Sequence, residues 1–229
     1  MNYIKLLIIT MTLSAMPLSA DMVISQSIIY FGQDGSNQED IQIENVGSEP
    51  LYIKVTPHIV KNPGTDQQER IAYDDPTEAG LLVSPNRLVI KPGSRKLLRF
   101  VNLNSNSTEE KVYRVSVTPV VGQLEENQTG VKIVIGYEVL VLVPPVGGKE
   151  ELVYARAGKS LQIENKGTQN ILVREGIQCE PNVTDENECT VIPGKRLYPG
   201  NKWNAELVHN LPIKLYLKKG KENSVKIIE

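Results

Sequence analysis

Histidine and cysteine are scarce in this chain of 229 residues, with two of each. His58 and His209 are too few to complete a usual zinc set with Cys179 and Cys189, so no metal centre is expected. Charge of one sign is also missing. The formal net charge is −2 and no basic stripe runs through the sequence, so nucleic acid is not an expected partner. Catalytic signatures are lacking as well. There is no Gly-x-Ser-x-Gly elbow, no glycine-rich phosphate loop and no histidine-rich ligand set. The acidic pair Asp74-Asp75 stands just before Pro76, where a solvated turn explains it better than acid–base chemistry. The sequence therefore predicts neither a cofactor nor an enzyme.

Long apolar runs that could cross a bilayer as a helix are absent after the first 20 residues. In those first residues Lys5 sits in a short leading segment and Leu6 to Ile9 open an apolar core. Leu18-Ser19-Ala20 then offers a small residue for cleavage. A membrane anchor would need roughly 20 apolar residues, and this run is shorter, broken by Thr10, Thr12 and Ser14. A cleaved secretory leader over 1–20 is the expectation, with export of the rest. In an oxidising compartment, two cysteines ten positions apart predict one disulfide, Cys179–Cys189. Closing such a loop contributes about 3 kcal/mol in the chain-entropy account.

What the chain does have is the vocabulary of β-strands. Val, Ile, Thr and Tyr recur, Gly and Pro punctuate them, and helix signatures are few. Strands are expected over 22–31, 40–45, 50–60, 80–84, 87–91, 95–103, 111–120 and 130–143. A second set is expected over 151–155, 159–165, 169–178, 189–192, 203–208, 212–217 and 223–228. Turn signals every ~8 to 12 residues match immunoglobulin-like sandwiches. The loops 62–80 and 102–111 read as solvated. Two stretches echo each other: "IQIENVGSEPLYIKV" (41–55) and "LQIENKGTQNILVRE" (161–175). A weaker echo follows in the same order, "VIKPGSRKLLRF" (89–100) and "VIPGKRLYPGNKW" (191–203). Two related sandwiches in tandem are therefore predicted, 21–146 and 149–229, joined at the elbow "PPVGGKEE" (144–151). The fold class is all-β.

The segment "GVKIVIGYEVLVLVPP" (130–145) poses a physical problem. Its first half alternates like a half-buried strand, whereas Leu140 to Val143 are apolar on both faces. Such a strand must be covered twice over or it templates aggregation. Here the order of features becomes informative. A leader is followed by a sandwich carrying "GLLVSPNRLVIKPGSRKLLRFV" and "EKVYRVSV". Then come this strand, a proline elbow and a smaller β domain with a cysteine loop. In these residues the chain resembles the PapD-like periplasmic chaperones of the chaperone–usher pathway, an immunoglobulin-type family. "VYRV" and the Cys179–Cys189 loop are most similar to the alternative branch, which serves colonisation-factor and common-pilus fimbriae.

The resemblance implies a periplasmic, ATP-independent chaperone that completes a fimbrial subunit by donor-strand complementation and hands it to the outer-membrane usher. It implies that Val131, Ile133, Ile135 and Tyr137, at period-2 spacing, point into the subunit's groove. In one branch of the family an Arg in the first strand and a Lys in the last strand of the first domain grip the subunit's terminal carboxylate. Residues 22 to 32 hold no basic residue here, and the place of the Lys falls near Val139 or Leu140. Arg114 and Lys132 are the substitute candidates, with a structural salt bridge as the other reading of Arg114. Whether the free protein caps itself as a homodimer stays open. The competing readings are a two-domain fimbrial structural or adhesive surface protein and a secreted enzyme. A sugar-binding adhesin favours aromatic platforms, yet Trp203 is the only Trp and aromatics make up 5% of the chain.

The leader and the cysteine loop share one test. Intact mass of protein recovered from the periplasm should place the mature start near Asp21 and show two hydrogens missing until reductant is added. Two alkylatable thiols in the unreduced native protein would contradict the disulfide.

Overall fold

The computed structural model describes residues 21–32, 35–104, 106–120, 134–183, 185–220 and 222–229. The expected leader lies outside them. The first half contains β1 (Met22–Ile24), β2 (Ile28–Tyr30), β3 (Gln38–Asn45), β4 (Leu51–Lys61) and β5 (Glu69–Ala72). A one-turn helix α1 (Pro76–Ala79) follows, then β6 (Leu81–Ser84), β7 (Arg87–Ile90), β8 (Arg95–Asn102), β9 (Lys111–Pro119) and β10 (Tyr137–Val143). They form two sheets. One has the order β1-β3-β8-β6, the other β2-β10-β9-β4-β5, with β7 also paired to β4. The second half contains β11 (Leu152–Ala157), β12 (Ser160–Asn165), β13 (Ile171–Gln178), β14 (Thr190–Pro193) and β15 (Arg196–Leu197). It ends with β16 (Lys202–Glu206), β17 (Ile213–Lys219) and β18 (Glu222–Ile228). Its sheets run β11-β12-β16 and β14-β13-β17-β18, with β15 beside β13. The chain is thus two β-sandwiches in tandem.

Strand alternation decides which residues make each core. Ile41 and Ile43 on β3, Leu98 and Phe100 on β8, and Tyr113, Val115 and Val117 on β9 all face inward and are buried. The second core gathers Leu161, Ile163, Ile171, Val173, Leu215 and Leu217, with Trp203 packed half-buried against it. Trp203 is therefore a packing residue.

Several elements differ in detail from the sequence expectation. The stretch expected as one strand over 22–31 is two. β1 pairs antiparallel with β3, and the chain then crosses at Ser25–Ser27 to the other sheet, where β2 runs parallel to β10. The supposed solvated loop 62–80 holds β5 and α1. Asp75 caps that helix. Its carboxylate accepts the Thr77 N–H at 2.7 Å, and Gly80 ends the turn at φ +82°. The disulfide Cys179–Cys189 is formed, with Cα atoms 4.5 Å apart. Glu186, inside its loop, accepts from Lys214 Nζ and Tyr216 Oη, both at 2.5 Å, which fastens the loop onto β17.

The sequence echo has a structural meaning. Asn45 and Asn165 are fully buried at the ends of β3 and β12. Asn45 Nδ2 donates to the carbonyls of Glu49 (2.7 Å) and Ile90 (2.9 Å), and its Oδ1 accepts from Gly47 N. Asn165 repeats this with Gln169 (2.9 Å), Leu197 (2.9 Å) and Gly167 N. Each amide satisfies three backbone groups that burial would otherwise leave unpaired. Gly167 is required by a close approach, since a Cβ there would lie 2.4 Å from the Lys149 carbonyl oxygen.

Removing either amide should be expensive in the same way. Asn45→Ala and Asn165→Ala each strand two carbonyls and one N–H, at about 1–3 kcal/mol per group. Each variant should lose about 3 kcal/mol or more in chemical denaturation. A loss within the ordinary surface range of about 0.5 kcal/mol would show that water replaces the amide.

Candidate functional site

Strand β10 is covered on both faces, by different partners. Val139, Val141 and Val143 join the first core and are essentially inaccessible. Leu140 and Leu142 point the other way, into a separate cluster with Val60, Val112, Tyr30 and Tyr198. Tyr198 belongs to the second half of the chain, so the even face of β10 is what joins the two sandwiches.

The edge of β10 is closed only in part. β2 pairs with Leu140, Val141 and Leu142 alone. The bonds that bracket it run from Leu140 N to Ser27 O and from Phe31 N to Leu142 O, both 2.9 Å. Upstream, Tyr137 to Val139 pair with β9 on one side and with no described strand on the other. Residues 134–136 are not in a strand, and Val134 and Ile135 are 37% and 46% exposed. Val131, Lys132 and Ile133 lie outside the described residues. Tyr137 is placed otherwise than expected. Its ring packs half-buried on the chain's own core, and its hydroxyl donates to Met22 O at 2.9 Å. The reason is register. Tyr137 is already opposite Val117 on β9, so it shares the inward parity of Val139.

Arg114 sits on the even face, opposite Leu140 on one side and His58 on the other. The row reads Ile28, Leu140, Arg114, His58, Ala72 across five strands. Arg114 is half-buried, and among the described residues its guanidinium takes no carboxylate partner. His58 Nδ1 lies 3.3 Å from the Arg114 carbonyl oxygen. Two further residues of this face were not anticipated from sequence. Arg70 of β5 and Glu138 of β10 form an ion pair at 2.6 Å, and Glu138 also accepts from Ser116 Oγ at 3.0 Å.

A polar joint completes the elbow. Glu110 Oε1 accepts from both the backbone N–H and the side-chain amide of Asn170. Asn170 Oδ1 accepts in turn from Arg196, whose other nitrogen donates to Tyr30 Oη at 2.8 Å while the guanidinium lies over the Tyr30 ring. Asn201 Nδ2 reaches Pro63 O across the same junction. Glu110 Oε2 is buried without a partner among the described residues. Burial therefore pushes the Glu110 carboxyl above its ordinary value, against the lowering effect of Asn170 and the nearby Arg196.

Two immunoglobulin-like sandwiches are joined through a strand whose upstream edge meets no described strand, the layout of two-domain assembly chaperones. The chain belongs to the family of pili and flagellar-assembly chaperones, matching its PapD N-terminal domain over residues 21–149. It is 27% identical over 186 residues to a CS1 fimbrial protein of Escherichia coli, covering 77% of each chain. It is also 27% identical over 183 residues to a CFA/I fimbrial protein of Escherichia coli, covering 76% of this chain and 75% of that one. In fold it is similar to the class 5 fimbriae chaperone CfaA. The TM-score is 0.63 at 21% identity, over 90% of this chain and 98% of that one. It is likewise similar in fold to a chain of the CsuC–CsuE chaperone–tip adhesion complex of Acinetobacter baumannii. There the TM-score is 0.61 at 13% identity, over 91% and 98% of the two chains.

The elbow carboxyl gives a prediction with a definite sign. A carboxyl raised on folding adds no penalty at acid pH, and its ionisation weakens the fold as pH rises through the raised value. Glu110→Gln removes that ionisation but keeps an acceptor for Asn170. Its melting temperature relative to the parent should therefore be higher at pH 7 than at pH 4. A difference independent of pH would mean that Glu110 stays compensated when charged.

Proposed function

We propose that this chain is a periplasmic chaperone that lends the segment leading into β10 to a fimbrial subunit and delivers that subunit to the outer-membrane usher, without ATP. The observation that carries this reading is the edge of β10 upstream of Leu140, which has no partner strand among the described residues and continues in sequence into an apolar segment of period-2 spacing. A pilin lacking a strand has an exposed groove and unpaired edge groups. Val131, Ile133 and Ile135 are the donors we assign to that groove. Burying each fully would contribute about 1.5–3 kcal/mol before the costs of association. Tyr137, held by Met22, marks where the lent segment ends and the chaperone's own sheet begins.

A client strand added alongside and parallel to β10 would run toward β2 and stop at Ser27 and Ile28. Its terminal carboxylate would then arrive beside the row of Leu140, Arg114 and His58. Arg114, half-buried and without a carboxylate of its own among the described residues, is the anchor this placement favours. Lys132 remains a second candidate. The signal segment 1–20 supplies the route to the periplasm.

Substitutions at the two ends of the strand separate donation from self-packing. Ile133→Asp and Ile135→Asp should keep the melting temperature within about 2 °C of the parent. Both should abolish recovery of a co-expressed pilin, because an unpaired charge would enter an apolar groove. Val141→Asp should lower the melting temperature by about 10 °C or more, since Val141 is wholly buried. Arg114→Ala should spare the fold and weaken client capture about tenfold. Collapse of the Ile133→Asp protein itself would make the segment an ordinary core strand.

A further inference from the structure

The second sandwich is closed unevenly. β11 is an edge of its narrower sheet and β18 an edge of its wider one. No described strand bridges the seam between these two edges, and side chains cross it instead. At one end Arg156 Nη1 donates to Ile228 O at 3.3 Å. In the middle Lys226 Nζ lies over the Tyr154 ring, 5.3 Å from its centroid. At the other end Lys219 Nζ meets Glu150 at 2.6 Å. Lys226 pairs with Leu215, Ser224 with Leu217 and Glu222 with Lys219. The row between the last two crossings therefore ends on β18 in Ser224, a side chain too short to reach across.

Beneath the seam lies a cavity of about 190 Å³. Its floor is Leu152, Ile163, Ile171, Leu215, Leu217 and Ile228, all packed in the second core. Its polar lining residues all belong to the crossings at the rim. Apolar cavities of about 150 Å³ stay dry and admit small hydrocarbons. One wall runs from Glu150 to Tyr154 and the other back from Lys219 to Leu215. Four residues of extended chain measure about 13 Å. The cavity volume spread over that length leaves the width of one hydrocarbon chain. A zigzag of bonds of about 1.5 Å fills the length with about ten carbons. The rim adds a charge. Glu150 is matched by Lys219 and by Gln169 Nε2 at 3.0 Å. Among the described residues Lys226 has only the Tyr154 ring. That ring is 45% exposed, so the contact is a weak one, and a carboxylate is the stronger partner for an ammonium.

We propose that this seam of the second sandwich is a binding site for a free medium-chain fatty carboxylate. The chain enters past Ser224 and lies along the apolar floor. Its carboxylate meets Lys226, and Tyr154 turns aside as the lid. The slot belongs to the second sandwich, so the site stands apart from strand donation along β10.

Trp203 supplies the probe. It is the only Trp of the chain, and it pairs with Ile163 of the floor, so its fluorescence reports on the slot. Decanoate, decanol and hexanoate are titrated, below the concentrations at which they form micelles, into the delipidated parent protein, Lys226→Gln, Ser224→Phe and Leu152→Phe. Calorimetry runs in parallel, and thermal melting confirms that each variant folds. Ser224 and Lys226 are exposed, so at least those two substitutions spare the core. Decanoate should bind the parent about threefold more tightly than decanol, the scale of an exposed charge pair. Lys226→Gln should erase that preference. Hexanoate, with a shorter chain to bury, should bind about a hundredfold more weakly than decanoate. Ser224→Phe covers the mouth and Leu152→Phe fills the slot, and each should weaken decanoate about tenfold or more. Equal affinity of acid and alcohol for the parent overturns the site, and so does decanoate binding that both Phe variants leave unchanged. A parent protein that binds neither ten-carbon ligand overturns it as well.

Discussion

The need to bury both faces of β10 organises this molecule. A strand reading Val139-Leu140-Val141-Leu142-Val143 cannot face water on either side. Its odd face is taken by the first core and its even face by Tyr198 from the second sandwich. The two sandwiches are therefore joined by side-chain packing on a shared strand. That contact lies immediately before Pro144 and Pro145, which fix the path into β11. The polar joint of Glu110, Asn170, Arg196 and Tyr30 lies around this apolar contact. Burial of Glu110 Oε2, which has no partner among the described residues, disfavours the charged form of this carboxyl.

Much of this was legible in the sequence because it is local. The echo of "IEN" followed by a glycine turn marks the two buried asparagines, each serving a turn within four residues and one carbonyl beyond it. Most strands of both halves follow from alternation, and the double-faced apolarity of Leu140 to Val143 is plain in the sequence. The cysteine spacing allowed the bond that is formed.

Other features were hidden because they depend on register between distant strands. Tyr137 has the same parity as the residues before it. Only its pairing with Val117 shows that it has already entered the chaperone's own sheet. The division of the first strand into β1 and β2 cannot be read from a continuous β pattern. It requires knowing that two different sheets flank Ser25–Ser27. Arg70 stands in what reads as a polar loop, 68 positions from Glu138. No spacing rule connects them. Asp75 was read as solvated, and its part in starting a helical turn shows only once its acceptor oxygen is seen on Thr77 N.

The short strand β2 has one more consequence. It occupies the edge of β10 from Leu140 onward, so under the proposed reading a guest strand laid along the part of that edge with no described partner would meet a fixed stop. Side chains in a strand alternate, and a slip of one residue turns every apolar group to the wrong face. A guest whose last segment is one residue too long would have to slip back by one and present its polar side inward. Under the proposed donor-strand reading, β2 would then serve as a ruler, setting the zero mark from which a guest's residues are counted.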